Sequence, residues 1–175
     1  MTHKPKSDEE MRAAAERVLS LCRAKKYMLG TAESCTGGLI AVTITDIPGS
    51  SDVFDRGIVT YSNEAKQMLL GVSKEMLDAH GAVSAEVAKA MAEGVIRATR
   101  TQVGVSVTGI AGPDGGSEQK PVGLVFIGGA IANGAFHVRE CRFGDLGRSE
   151  VRRRSVIAAF ALIEELLTKP MEAAR

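Results

Sequence analysis

The sequence contains no tryptophan, and aromatic residues make up only 4% of its 175 positions. That counts against the base-stacking platforms of single-strand-binding proteins. Charge of one sign is also missing: 22 basic and 21 acidic residues leave +1, so no strong field favours nucleic acid or a membrane surface. No apolar run approaches the ~18 residues of a spanning helix, and the charged N-terminus does not resemble a secretory signal. The three cysteines, Cys22, Cys35 and Cys141, lack metal-ligand or disulfide-framework spacing. The expectation is a cytoplasmic protein with reduced thiols, no metal and no cofactor. Histidine is scarce as well. His3 lies in a tail, His80 precedes Gly81 at a helix end, and His137 falls on a late strand, so a Ser-His-Asp triad is poorly supplied.

What is present alternates between helix and strand. Ser7 and Glu10 read as a capping box, followed by Met11, Ala15, Val18, Leu19 and Cys22 at helical spacing. A strand at Tyr27–Ala32 leads to a glycine turn and a helix that stops near Pro48-Gly49. Gly57–Tyr61 reads as a second strand, with Asn63 capping a helix that ends at Gly71. Ser73 and Ser84 cap two more. Val103, Val105 and Val107 alternate with Gly104 and Ser106, a strand with one small-residue face. Leu124–Ile131 is a buried strand, Asn133-Gly134 a hairpin turn, and Ala135–Phe143 its return. A helix from about Ser149 to Leu167 closes the chain.

This order predicts a single domain over residues 1–175, a three-layer α/β/α sandwich around a mixed sheet of about five strands. Residues 1–6 and 170–175 would be flexible tails. Loops leaving the carboxyl ends of parallel strands collect the site in such folds. Three segments qualify. Glu33-Ser34-Cys35-Thr36-Gly37-Gly38 is a glycine-rich turn whose N–H groups suit an anion or oxyanion. By position alone Ser34 and Cys35 are nearly level as nucleophiles, a thiolate at a helix start having a lowered pKa. Tyr61-Ser62-Asn63-Glu64-Ala65-Lys66 puts a lysine in the first turn of a helix, where the dipole and burial would lower its pKa. Such a lysine is either a base for Ser34 or an ordinary surface cation. Glu33 suits orienting its neighbours or capping the turn. The third segment, Thr108-Gly109-Ile110-Ala111-Gly112-Pro113, continues to Lys120. It allows close ligand approach but is neither a Walker A loop nor a Rossmann fingerprint.

These three motifs, with Gly115-Gly116 and Lys120-Pro121-Val122-Gly123, resemble the CinA C-terminal domain family over roughly Ala14 to Leu167. The resemblance implies hydrolysis of nicotinamide mononucleotide to nicotinate mononucleotide and ammonia, in pyridine nucleotide salvage. It implies a metal-free serine amidase with Ser34 as nucleophile and Lys66 as base, and Tyr61 on a motif position. Substrate contacts would come from Glu33, Cys35, Thr36, Gly37, Gly38, Asn63, Thr108, Gly109, Gly112 and Arg148. A homodimer is implied too. Many members carry an N-terminal domain resembling molybdopterin-binding proteins, which 175 residues are too few to include. Members also tend to have Gly-Asp-Arg before the last helix, whereas here Leu146-Gly147 separates Gly144-Asp145 from Arg148. The alternatives are Cys35 as nucleophile and a non-catalytic module that senses a pyridine nucleotide.

Overall fold

Strand pairing positions everything else. In the computed structural model, which describes residues 6–132 and 134–168, five strands form one sheet. They are β1 (Leu29–Glu33), β2 (Phe54–Val59), β3 (Val103–Gly109), β4 (Leu124–Ile131) and β5 (Phe136–Arg142), in the order β2-β1-β3-β4-β5. β2, β1 and β3 run parallel, while β4 and β5 are each antiparallel to the preceding strand. The carboxyl ends of β1, β2 and β3 therefore share one edge, as the sequence predicts.

Helices α1 (Lys6–Lys25), α2 (Leu39–Thr45) and α6 (Arg148–Thr168) cover one face. Their core holds Leu19, Ile40, Ile44, Phe160 and Ile163 against Leu29, Val105 and Ile127. Helices α3 (Asn63–Leu70), α4 (Lys74–His80) and α5 (Ala85–Thr99) cover the other, where Leu70, Leu77, Met91 and Val95 pack with Ala32. The result is the expected α/β/α sandwich with a mixed sheet. Among the described residues no helix is long and apolar enough to cross a membrane.

The small-residue face of β3 has a definite use. A Cβ on Gly104 would lie 2.4 Å from the Ala92 carbonyl oxygen, and one on Gly128 2.3 Å from that of Ala88. Ser106 Oγ donates to the same Ala88 carbonyl. α5 thus approaches the sheet at backbone distance, which only glycine or serine permits there.

Several boundaries differ from expectation. β2 starts at Phe54 and ends at Val59, so Tyr61 lies past the strand. The cap of α3 is Ser62, whose extended backbone lets Oγ accept from Ala65 N–H; Asn63 is the first helical residue. Ser73 and Ser84 cap α4 and α5 as expected. α1 already includes Ser7, so the helix begins before the expected cap, whose side chain lies outside the described residues. Asn133 also lies outside them, as do the tail residues 1–5 and 170–175.

Candidate active site

The site grows from alternation along β1. Leu29 faces the α1–α6 core and Ala32 the α3–α5 core. The same period of two sends Glu33 toward α2 and Ser34 toward α3. The Ser34 N–H still pairs with the Val107 carbonyl at 2.9 Å, so β3 holds the residue beyond the strand end. Glu33 is buried at 1% exposure, and its carboxylate accepts from the amides of Gly38 (3.1 Å), Ile40 (3.0 Å) and Ala41 (3.0 Å). Gly37 and Gly38 take left-handed conformations, at φ 56° and 95°, and fold the chain back over the carboxylate. Glu33 is therefore the tether of the turn and the anion at the start of α2. Its oxygens are committed to backbone, which corrects its assignment as a substrate contact.

Within the turn, Gly37 N–H donates to the Ser34 carbonyl and Gly38 N–H to Glu33. The amides of Cys35 and Thr36 are left with no carbonyl or carboxylate acceptor among the described residues. Thr36, Gly37 and Gly38 do not line the cleft described below; the Thr36 carbonyl instead accepts from Arg152 on α6 at 2.8 Å. Arg152 is thus a supporting residue, and its sequence position alone does not name the turn as its partner.

Lys66 is the largest fully buried side chain, at 1% exposure. Its Nζ lies 3.1 Å from Ser34 Oγ and donates to the Thr60 carbonyl at 2.9 Å. Among the described residues no carboxylate pairs with it, since the Glu33 carboxylate is turned to the opposite face of the sheet. Burial therefore lowers its pKa below the usual lysine value, the smaller opposing effect coming from Cys35. The surface-lysine alternative does not hold. Cys35 meets the opposite fate. Burial pushes its thiol up to about 12, and α2 begins only at Leu39, so no helix N-terminus stabilises a thiolate. Neither feature favours Cys35 as the activated nucleophile, and it is Ser34 that lies beside Lys66.

Ser34 and Lys66 open into a cleft of about 280 Å³ that also meets Cys35, Tyr61, Asn63, Thr108, Gly109, Gly112 and Arg148. All three motifs thus reach one cavity. Arg148 bridges its walls, donating to the Gly112 carbonyl at 2.9 Å and to the Tyr61 hydroxyl at 2.8 Å. Tyr61 itself stands at the mouth, 62% exposed. Thr108 Oγ1 donates to the Ala82 carbonyl at 2.8 Å, joining β3 to the α4–α5 connection. Through that connection Ala82 and Val83 also line the cleft, as do Asp114 and Gly115. Nothing in the sequence marks Ala82 or Val83 as site residues. Lys120 donates to the His80 carbonyl at 2.7 Å and does not line the cleft. His80 and His137 stay outside it. Among the described residues no group of three or more His, Cys, Asp or Glu side chains is placed to hold a metal ion.

Comparison with known proteins agrees with this architecture. The CinA C-terminal domain family is matched over residues 11–167. The chain belongs to that family. A relative in Escherichia coli strain K12, named nicotinamide-nucleotide amidohydrolase PncC, is 50% identical over 157 residues, covering 89% of this chain and 93% of the relative. A relative in Caldanaerobacter subterraneus subsp. tengcongensis, named for competence-damage inducibility, is 51% identical over 160 residues, covering 91% of this chain. The chain spans 38% of that relative's length. The crystal structure of the competence/damage inducible protein CihA from Agrobacterium tumefaciens superposes with a TM-score of 0.89 at 44% identity, covering 97% of this chain and 100% of that one. Family membership and fold are thus established together.

Proposed function

We propose that this CinA-family chain is an amidohydrolase that converts nicotinamide mononucleotide to nicotinate mononucleotide and ammonia. The observation that carries the reading is a lysine amine, 1% exposed and without a carboxylate, 3.1 Å from a serine hydroxyl in an open cleft. A buried lysine is held toward its neutral form, and a serine needs a neutral base to become a nucleophile. The substrate class rests on the name of the Escherichia coli relative.

In this reading Lys66 takes the Ser34 Oγ proton as Oγ bonds to the carboxamide carbon. The carbonyl electron pair moves to oxygen, and the amide of Cys35, which lines the cleft, receives the oxyanion; one such donor is typically worth ~3 kcal/mol. The C–N bond then breaks, and Lys66 returns its proton to the departing nitrogen, which leaves as ammonia. Tyr61 relays that proton at the cleft side. Water, deprotonated by Lys66, cleaves the ester and frees Ser34. The cationic pyridinium makes the carbonyl more electrophilic and disfavours a second positive charge on Lys66. Arg148, Asn63 and the backbone of Thr108, Gly109 and Gly112 hold ribose and phosphate. The route uses neither metal nor cofactor. The same reading expects a cytoplasmic homodimer acting in pyridine nucleotide salvage.

Ammonia release from nicotinamide mononucleotide by the purified protein tests the proposal. Turnover by the wild type, lost by on the order of 10³-fold or more in Ser34→Ala and Lys66→Ala with the fold retained, supports it. Tight binding of the nucleotide without ammonia release would instead support the sensing module.

A further inference from the structure

A lysine that has accepted a proton carries three N–H groups and no acceptor of its own. Around Lys66 two directions are filled, toward Ser34 Oγ at 3.1 Å and the Thr60 carbonyl at 2.9 Å. The third has no protein acceptor bonded to it among the described residues. The charged state is the one the proposed reaction must pass through, so a third acceptor matters most just after Ser34 gives up its proton.

Thr60 is placed to supply it. Its hydroxyl is fully buried and makes no hydrogen bond, which is rare for a buried polar group and calls for a reason. Its N–H donates to the Glu33 carbonyl at 2.8 Å, so Thr60 continues the extended run of β2. Ile58 packs against the α3–α5 core, and the period of two directs Thr60 to that side, where Lys66 lies. The Thr60 carbonyl already touches Nζ. A rotation about χ1 is the movement the role requires, with the Thr60 backbone held by its bonds to Glu33 and Lys66. Two other buried hydroxyls lack partners, Thr31 and Thr36. Thr31 faces the α2 side beside Gly57 and Ala41, and neither residue is bonded to Lys66.

We propose that Thr60 is a positioning residue for Lys66: its hydroxyl accepts the third N–H of the ammonium formed when Lys66 takes the Ser34 proton. The contact is made in the charged state and not in the resting one, so it lowers the barrier to proton transfer without changing substrate binding. It rests on the serine–lysine reading of the site and adds a residue to it. The titratable and charged groups sharing the cleft with Lys66 are Cys35 from the turn, Tyr61 from the β2–α3 connection, Asp114 from the glycine loop and Arg148 from α6; Ala82 and Val83 bring none. No carboxylate bonded to Lys66 competes for the role.

The test compares Thr60→Val, which keeps the shape and removes the hydroxyl, with Thr60→Ser, which keeps the hydroxyl. Two quantities are read: the Lys66 ε-amine titration by NMR on lysine-labelled protein, and kcat and KM on nicotinamide mononucleotide. Thr60→Val is expected to lower the Lys66 pKa and to reduce kcat about tenfold to a hundredfold at unchanged KM, with Thr60→Ser restoring both. An unchanged Lys66 titration in Thr60→Val overturns the proposal, as does a Thr60→Ser protein that behaves like the valine variant. Thr60→Ala takes the place of a valine variant that does not fold. If the wild type releases no ammonia, the amidase reading fails, and the titration alone still decides the role of Thr60.

Discussion

Replacing Glu33 by glutamine probes the element that shapes the site. One carboxylate oxygen accepts from Gly38 and Ile40, the other from Ala41. Glu33→Gln keeps one oxygen acceptor and turns the other position into an NH₂ that confronts a backbone N–H. A hydrogen bond to a charged group contributes about 1.5–3 kcal/mol and a neutral one about 0.5–1.5. One charged bond lost and two weakened together cost about 3–5 kcal/mol, a large part of the ~5–15 kcal/mol that holds a domain folded. For a chain of this length that lowers Tm by about 6–20 °C. Differential scanning calorimetry reads the shift directly. Because the tether fixes the Ser34–Gly38 turn, kcat/KM on nicotinamide mononucleotide should fall as well, even below the transition. A Glu33→Gln protein with Tm within about 2 °C of wild type and unchanged kcat/KM would refute this, since one such bond lost and two weakened cannot leave so small an effect.

Lys66→Met should abolish activity yet raise thermal stability at neutral pH by a few degrees. The folded pKa of Lys66 is depressed by burial, so between that pKa and the unfolded value near 10.5 the unfolded chain binds more protons, and wild-type stability rises with pH across that window. Over the same titration kcat/KM should fall as pH drops through the folded pKa, because the base becomes protonated; a flat acid limb would count against Lys66. Cys35→Ala should retain most of the activity, read as ammonia release, and native Cys35 should resist iodoacetamide at pH 7, read by peptide mapping, as a thiol pushed up to about 12 by burial is not ionised there. Gly128→Ala should lose about 1–3 kcal/mol by urea denaturation, because its Cβ would meet the Ala88 carbonyl oxygen at 2.3 Å.

The sheet was readable because its strands carry strong local signals. Leu124–Ile131 is observed with the predicted limits, and the small face of β3 fits the close approach of α5. Finer points turned on geometry that composition does not hold. Ser62 and Asn63 are both good capping types, and only the extended backbone of Ser62 settled which one caps α3. Ser34 and Cys35 were level by position because their separation depends on where β1 stops alternating and on the late start of α2 at Leu39. Three motifs identified the cleft, but the roles of Glu33, Thr60 and Arg152 arise from contacts whose partners the sequence does not name. Glu33 looked like a site residue because it lies inside a motif, whereas its carboxylate is bonded to Gly38 and to the first residues of α2, behind the nucleophile.

The claim at the centre of this account is that Ser34, activated by Lys66, bonds to the substrate. Rapid acid quench of the enzyme turning over nicotinamide mononucleotide, followed by proteolysis and mass spectrometry, tests it most directly. A nicotinate mononucleotide ester on the peptide carrying Ser34, fragmenting to that residue and missing from Ser34→Ala, is the predicted result. The same adduct on Cys35, or full turnover by Ser34→Ala, would contradict it.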